Sequence, residues 1–210
     1  MGNQERKPGG RRRCALAVLL GIVLFVTASA DADPAEPPGF EALRQAADLG
    51  SVMDQAVLGN LYLHGTAVPR DFDKAFHWLD RAAQQGGAPA QHDLGYMYYN
   101  GHGVARDHHQ AMRWYRKAAV QGFGPSQLGL GVMYALGQGV PQDYVLAHKW
   151  AHLAAAHMDP SEGVLRLEPG QREAAMRYRD AVAVHMTREQ VEQARRLADA
   201  WQQEAAQRGR

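Results

Sequence analysis

The sequence is poor in the groups that reactive chemistry needs. Its single cysteine, Cys14, opens an apolar run near the N-terminus, so residues 31–210 carry no thiol. That excludes a disulfide framework, a cysteine-type zinc site and a thiol nucleophile from this part of the chain. Serine is scarce there too. Ser51, Ser126 and Ser161 are the three it has, and none stands in GxSxG or opens SxxK. There is no HExxH zinc motif, no Walker-type phosphate loop and no GxGxxG opening a helix after a strand. No catalytic residue, cofactor or metal is assigned. Neither sign of charge dominates, with 23 Lys+Arg against 22 Asp+Glu. No apolar run is a comfortable membrane span: residues 14–26 are uncharged, but a span needs about 20 residues.

The even charge balance conceals two unlike parts. Residues 1–30 hold five basic groups and one acid, so the remainder has 18 basic and 21 acidic groups, a net of −3. A basic start, the apolar run and small residues at Ala28 and Ala30 follow the order of a secretory signal. Cleavage is expected after Ala30, with Ala32 as the alternative. An uncleaved inner-membrane anchor over residues 14–30 is the rival. Residues 31–39 are acidic and proline-rich, and are expected to be a linker. A mildly acidic exported body argues against nucleic-acid binding, which needs a basic surface.

A period of 36 residues organises the chain from Gln55 to Ala155. Leu58-Gly59, Leu94-Gly95 and Leu130-Gly131 share one register. So do Gln55, Gln91 and Gln127, then Tyr62, Tyr98 and Tyr134, then Gly65, Gly101 and Gly137. Asp71, Asp107 and Asp143 continue it, with Trp78, Trp114 and Trp150. Ala82-Ala83, Ala118-Ala119 and Ala154-Ala155 close the units.

Each unit is expected to form two helices. Leu58, Leu61 and Tyr62 fall on one helical face, and Gly65 suits a left-handed C-terminal cap. Asp71 is placed as the N-cap of the second helix, which carries Ala75, Trp78 and Ala82 on one side. The mid-helix glycines cost about 1 kcal/mol each relative to alanine. Close helix approach is the expected gain, with the Ala-Ala pairs as the facing small surface. The tryptophans are expected to pack between units.

The pattern LGxxYxxGxxVxxDxxxAxxWxxxAA resembles the Sel1-like repeat family, related to tetratricopeptide repeats. The resemblance covers residues 55–157. It implies an all-α fold: a right-handed α/α superhelix, or solenoid, of helix-turn-helix repeats. The expected organisation is a half-unit cap at 40–50, units at about 51–86, 87–122 and 123–158, and a C-terminal helical cap at 159–210. In that cap, residues 171–185 form one helix. Thr187-Arg188-Glu189-Gln190 is a capping box opening another, with Val191, Ala194, Leu197 and Trp201 on one face. Residues 186–201 are similar to the closing segment of exported Sel1-like proteins.

Histidine is the one plentiful reactive type, ten in all. His148 and His152 have a chelating i, i+4 spacing, with His157 beyond, but no paired carboxylate is evident nearby. His108 and His109 are expected in a solvated first turn. His64 and His102 lie in or beside loops, and Gly101-His102-Gly103 falls in the inter-helix loop.

The resemblance implies a protein-interaction scaffold; the empty motif search adds the expectation of no catalytic activity, the N-terminal segment that of a periplasmic or secreted protein, and a monomer is expected. The first helix of each unit would line a concave surface that takes a protein or peptide partner. The inward columns are then Ala56, Asn60 and Leu63; His92, Tyr96 and Tyr99; and Leu128, Val132 and Ala135. Asn60, Leu63, His92, Tyr96, Tyr99, Leu128 and Val132 are the candidate contact residues. They vary between units, as a recognition surface or simple surface drift would, and mix aromatic, polar and aliphatic types, which suits a peptide or a helix. The alternative is peptidoglycan or β-lactam binding, linked to cysteine-rich Sel1-like relatives. This chain departs from those in lacking their cysteines.

Overall fold

A computed structural model describes residues 39–158 and 170–208. The expected export segment, its cleavage point and most of the linker lie outside the described residues, as does Pro160. Among the described residues there are nine helices and no strand. They are α1 (Phe40–Asp48), α2 (Val52–His64), α3 (Phe72–Gln84), α4 (Ala88–Asn100), α5 (His108–Val120), α6 (Gly124–Leu136), α7 (Tyr144–His157), α8 (Gln171–Ala183) and α9 (Arg188–Arg208). None of them is long and apolar enough to cross a membrane.

The helix starts keep the 36-residue register because the caps do. The side chain of Asp71 accepts from the Lys74 N–H at 3.0 Å, Asp107 from Gln110 at 3.0 Å and Asp143 from Leu146 at 2.9 Å. Each carboxylate satisfies a backbone donor that the first helical turn leaves free. The preceding helices end on Gly65, Gly101 and Gly137, at φ +68°, +76° and +67°. Only glycine adopts that left-handed conformation without steric cost.

Successive units stack so that α2, α4 and α6 form one layer and α3, α5 and α7 the other. Leu58, Leu94 and Leu130 are fully buried between the layers. The mid-helix glycines do mark close approach, but not to the Ala-Ala pairs. A Cβ on Gly59 would stand 2.6 Å from Leu79 Cγ, and one on Gly95 would stand 2.6 Å from Tyr115 Cδ1. On Gly131 it would meet the Ala147 carbonyl oxygen at 3.1 Å. The layers thus cross one turn before the Ala-Ala pairs. Those pairs make room instead for the next unit, whose first helix docks there: Gln91 donates to the Ala83 carbonyl at 3.1 Å.

The ends are closed by dissimilar helices. Phe40 and Ala47 of α1 bury against Leu58 and Val68. Ala175 of α8 joins Ala154, Ala155 and Met158 of the last unit. The α9 capping box forms, with Thr187 N–H donating to Gln190 Oε1 at 2.8 Å and Gln190 N–H to Thr187 Oγ1 at 3.3 Å. Trp201 meets Trp150 edge-on, with ring centroids 5.1 Å apart. Its inward face differs from expectation by one residue. Ala194 and Ala198 are buried while Leu197 is exposed. Two small residues let α9 lie close on α7, which a leucine at that depth would prevent.

Candidate functional site

The face formed by α2, α4 and α6 brings the variable columns together, but at different depths. Leu63 is 3% exposed and belongs to the core, as do Ala56 and Ala135. Each of these helices packs on its own partner and on the next unit, so its buried arc is wide. With about 100° per residue, Ala56 and Leu63 fall inside that arc, roughly 160° and 140° round from Leu58. Leu128 is half-buried against Ala154, Ala155, Met158 and Ala175. These four residues are occupied by packing.

The others reach across junctions. Asn60 Nδ2 donates to Asp93 Oδ2 at 3.0 Å, tying α2 to α4. His92 Nδ1 lies 2.9 Å from Ser126 Oγ, tying α4 to α6. The Tyr99 hydroxyl donates to Gln138 Oε1 at 2.6 Å, and its ring stacks on His108 with centroids 5.2 Å apart. Tyr96 is half-buried, with His64 and His102 as ring neighbours at 6.3 and 5.4 Å. Val132 is half-buried on the same face.

The exposed stripe is centred one column away from the expected one. Met53, Val57 and His64 are exposed on α2, and Asn100 and Leu136 are exposed at the matching edges of α4 and α6. Asp93 occupies the Val57 column and was missed by sequence reasoning. A signal for it existed: its counterparts are Val57 and Gly129, so a carboxylate there is the odd member.

Burial raises the Asp93 carboxyl to about 6, against the opposing pull of the Asn60 hydrogen bond and of His64. Burial also lowers His92 to about 4. The Tyr115 phenol is raised by burial first, then by the nearby Tyr99, Asp93 and Tyr96.

Ser126 and His92 make a hydroxyl–imidazole pair, an arrangement that resembles activation of a nucleophile. Ser126 is fully buried, so its hydroxyl is closed to a substrate. Among the described residues no group of three or more His, Cys, Asp or Glu side chains is placed to hold a metal ion. His148 is buried with Nδ1 unpartnered, and His152 is half-buried beside it.

Residues 53–87, 88–123 and 124–157 each match the family model described as Sel1 repeat. The chain belongs to the Sel1 repeat family. A Sel1 repeat protein from Oxalobacter formigenes is 36% identical, with a TM-score of 0.52 over 66% of this chain and 97% of that one. A protective antigen present in uropathogenic Escherichia coli strains, which displays an SLR fold, is 30% identical with a TM-score of 0.68. That match covers 80% of this chain, which spans only 34% of the antigen's length. No curated protein matches the chain. Sel1 repeats generally serve as protein-interaction scaffolds and are typically non-catalytic.

The buried ionisable groups of this Sel1 array give it a pH-dependent stability. His92 and His148, each lowered to about 4 chiefly by burial, stay neutral in the folded chain where unfolded imidazoles protonate near 6.5. The unfolded chain therefore takes up more protons between those values, and stability falls as pH falls from about 6.5 to about 4. Asp93 opposes this. Its carboxyl protonates near 6 folded and near 3.8 unfolded, so the stability it costs at neutral pH returns as pH falls through that window. Two imidazoles against one carboxyl leave a net loss of about 1–3 kcal/mol after discounting for partial exposure. Chemical denaturation across that pH range should show it, and His148→Gln should flatten the profile. A wild-type stability independent of pH there would refute the assignment.

Proposed function

We propose that the protein is a non-catalytic interaction scaffold of the bacterial cell envelope. It is exported by residues 1–30, acts as a monomer, and binds a protein or peptide on the concave surface lined by the first helix of each repeat. The observation that supports this most is the contrast along α2, α4 and α6. The packing columns repeat faithfully, whereas the accessible stripe reads Val57, Asn60 and His64 in one unit and Asp93, Tyr96 and Asn100 in the next. A surface of mixed aromatic, amide, acidic and aliphatic groups on a constant frame suits side-chain recognition. It does not suit a nucleic-acid backbone, which asks for a run of cations.

Affinity capture from the envelope fraction tests the reading. A specific partner should lose about tenfold or more in affinity, roughly 1.4 kcal/mol, when Tyr96→Ala or Val57→Asp is introduced. Full retention by both variants would move the binding surface elsewhere. N-terminal sequencing of the exported protein should begin at Asp31. An intact N-terminus in the membrane fraction would make residues 14–30 an anchor.

A further inference from the structure

We infer that the partner segment is basic, and that Asp93 is the counter-ion for one of its lysine or arginine side chains, with Tyr96 as the adjoining wall. The inference rests on the concave-surface reading above and names the chemistry of that surface.

Packing does not require a carboxylate at this position. The same column holds Val57 in the unit before and Gly129 in the unit after, and both units fold alike. The Asn60–Asp93 hydrogen bond is likewise peculiar to one junction, since the counterparts of Asn60 are Tyr96 and Val132. Asp93 is half-buried. Its Oδ2 accepts from Asn60, while Oδ1 has no donor among the described residues and is not sealed from solvent. No lysine or arginine among the described residues lies within ion-pair distance of it.

The amide of Asn60 orients the carboxylate but leaves its charge uncancelled. A carboxylate drawn partly out of water is disfavoured as the ion unless a cation comes within a few ångströms. Among the described residues no lysine or arginine does so, and the pull of His64 is too small to offset burial. A cation arriving with a partner meets a fixed, partly desolvated charge, where the attraction exceeds that of a surface pair in bulk water. Tyr96 stands three residues on, on the same side of α4, and the exposed Val57 stands three residues before Asn60 on the same side of α2. An aromatic face and an aliphatic side chain suit the stem and head of a long basic residue.

Peptide selection from a random display library against the full chain tests the inference. Wild type, Asp93→Asn and Tyr96→Ala serve as baits at neutral pH, with circular dichroism confirming that each is folded. Peptides selected on wild type should be enriched about threefold or more in lysine and arginine. The best of them should lose about tenfold in affinity to Asp93→Asn. Its binding to wild type should weaken as pH falls below about 6, where the Asp93 carboxyl protonates. The groups that act on that carboxyl are Asn60 and His64 of α2, and Tyr115 of α5 lies close enough to feel it. The pH dependence should be much weaker in Asp93→Asn.

Peptides that need Tyr96 but show no basic enrichment, or an acidic one, would overturn the counter-ion and leave the groove standing. Peptides indifferent to both substitutions, or none selected at all, would count against the groove itself.

Discussion

Tyr115→Ala is expected to remove about 3–5 kcal/mol of stability, the range for deleting a buried aromatic side chain. The Tyr115 ring is a wedge between two units. It is 5% exposed, and one side of it lies where a Cβ on Gly95 would be, 2.6 Å from Cδ1. Its other side lies 3.2 Å from the Cβ position of Gly129. Glycines on α4 and α6 therefore clamp one ring from α5, and the cavity left by alanine is bounded by helix backbones that cannot easily collapse.

The same geometry fixes the sign of a second substitution. Gly95→Ala would ordinarily stabilise a helix by about 1 kcal/mol. Here its methyl group meets a ring that has no room to retreat, and overpacking of this kind costs about 1–3 kcal/mol. In the Tyr115→Ala background the clash is gone, and Gly95→Ala should become neutral or stabilising. Urea unfolding of the two single variants and the double variant measures this coupling. Equal effects of Gly95→Ala in both backgrounds would show that the ring and the glycine do not compete for space.

Gln91→Ala should cost about 2–4 kcal/mol, from one buried and one part-buried hydrogen bond lost and a small cavity. Gln55, Gln91 and Gln127 form a ladder through the array. Each Nε2 donates to a carbonyl eight residues earlier, on Ala47, Ala83 and Ala119, at 2.8, 3.1 and 3.1 Å. Each Oε1 faces the end of its own unit's second helix. Gln85 and Gln121 donate to Gln55 and Gln91 at 2.8 Å, and His157 Nδ1 takes the same place at 2.9 Å from Gln127. One buried side chain thus joins the end of the preceding unit to the end of its own. In a solenoid such bonds stabilise the interfaces between neighbours, on which cooperativity depends.

Gln91→Leu keeps most of the volume and should isolate the hydrogen-bond share, about 2 kcal/mol. His157→Gln should fall within about 1 kcal/mol of wild type, because glutamine already fills that position in the other two units. Wild-type stability in Gln91→Leu would mean that the ladder only accompanies helix packing.

Much of this architecture was legible because its causes are local. Asp71 caps the helix that begins one residue later, and Gly65 adopts a left-handed conformation wherever a helix must stop and turn. Neither depends on what the rest of the chain does. The glutamine column was visible as a repeat, but its purpose was not. Its acceptor Ala83 belongs to the unit before Gln91, and its donor Gln121 lies 30 residues further on. The accessible stripe was misplaced by one column for a related reason. Leu63 looks available from its helical spacing, but it joins a core cluster built from α3 of its own unit and α4 of the next.

The amino-acid sequence alone determined the period, the helix boundaries, the all-α class and membership of the Sel1 repeats. These follow from backbone caps, glycine conformations and apolar spacing, which act over a few residues. Tertiary structure decided which small residue faces which large one, and which variable residues remain open to a partner. Those outcomes depend on the crossing point of two layers and on the stacking of one unit upon the next. So the Tyr115 wedge, the burial of Leu63 and the uncancelled charge of Asp93 exist only once the helices are packed.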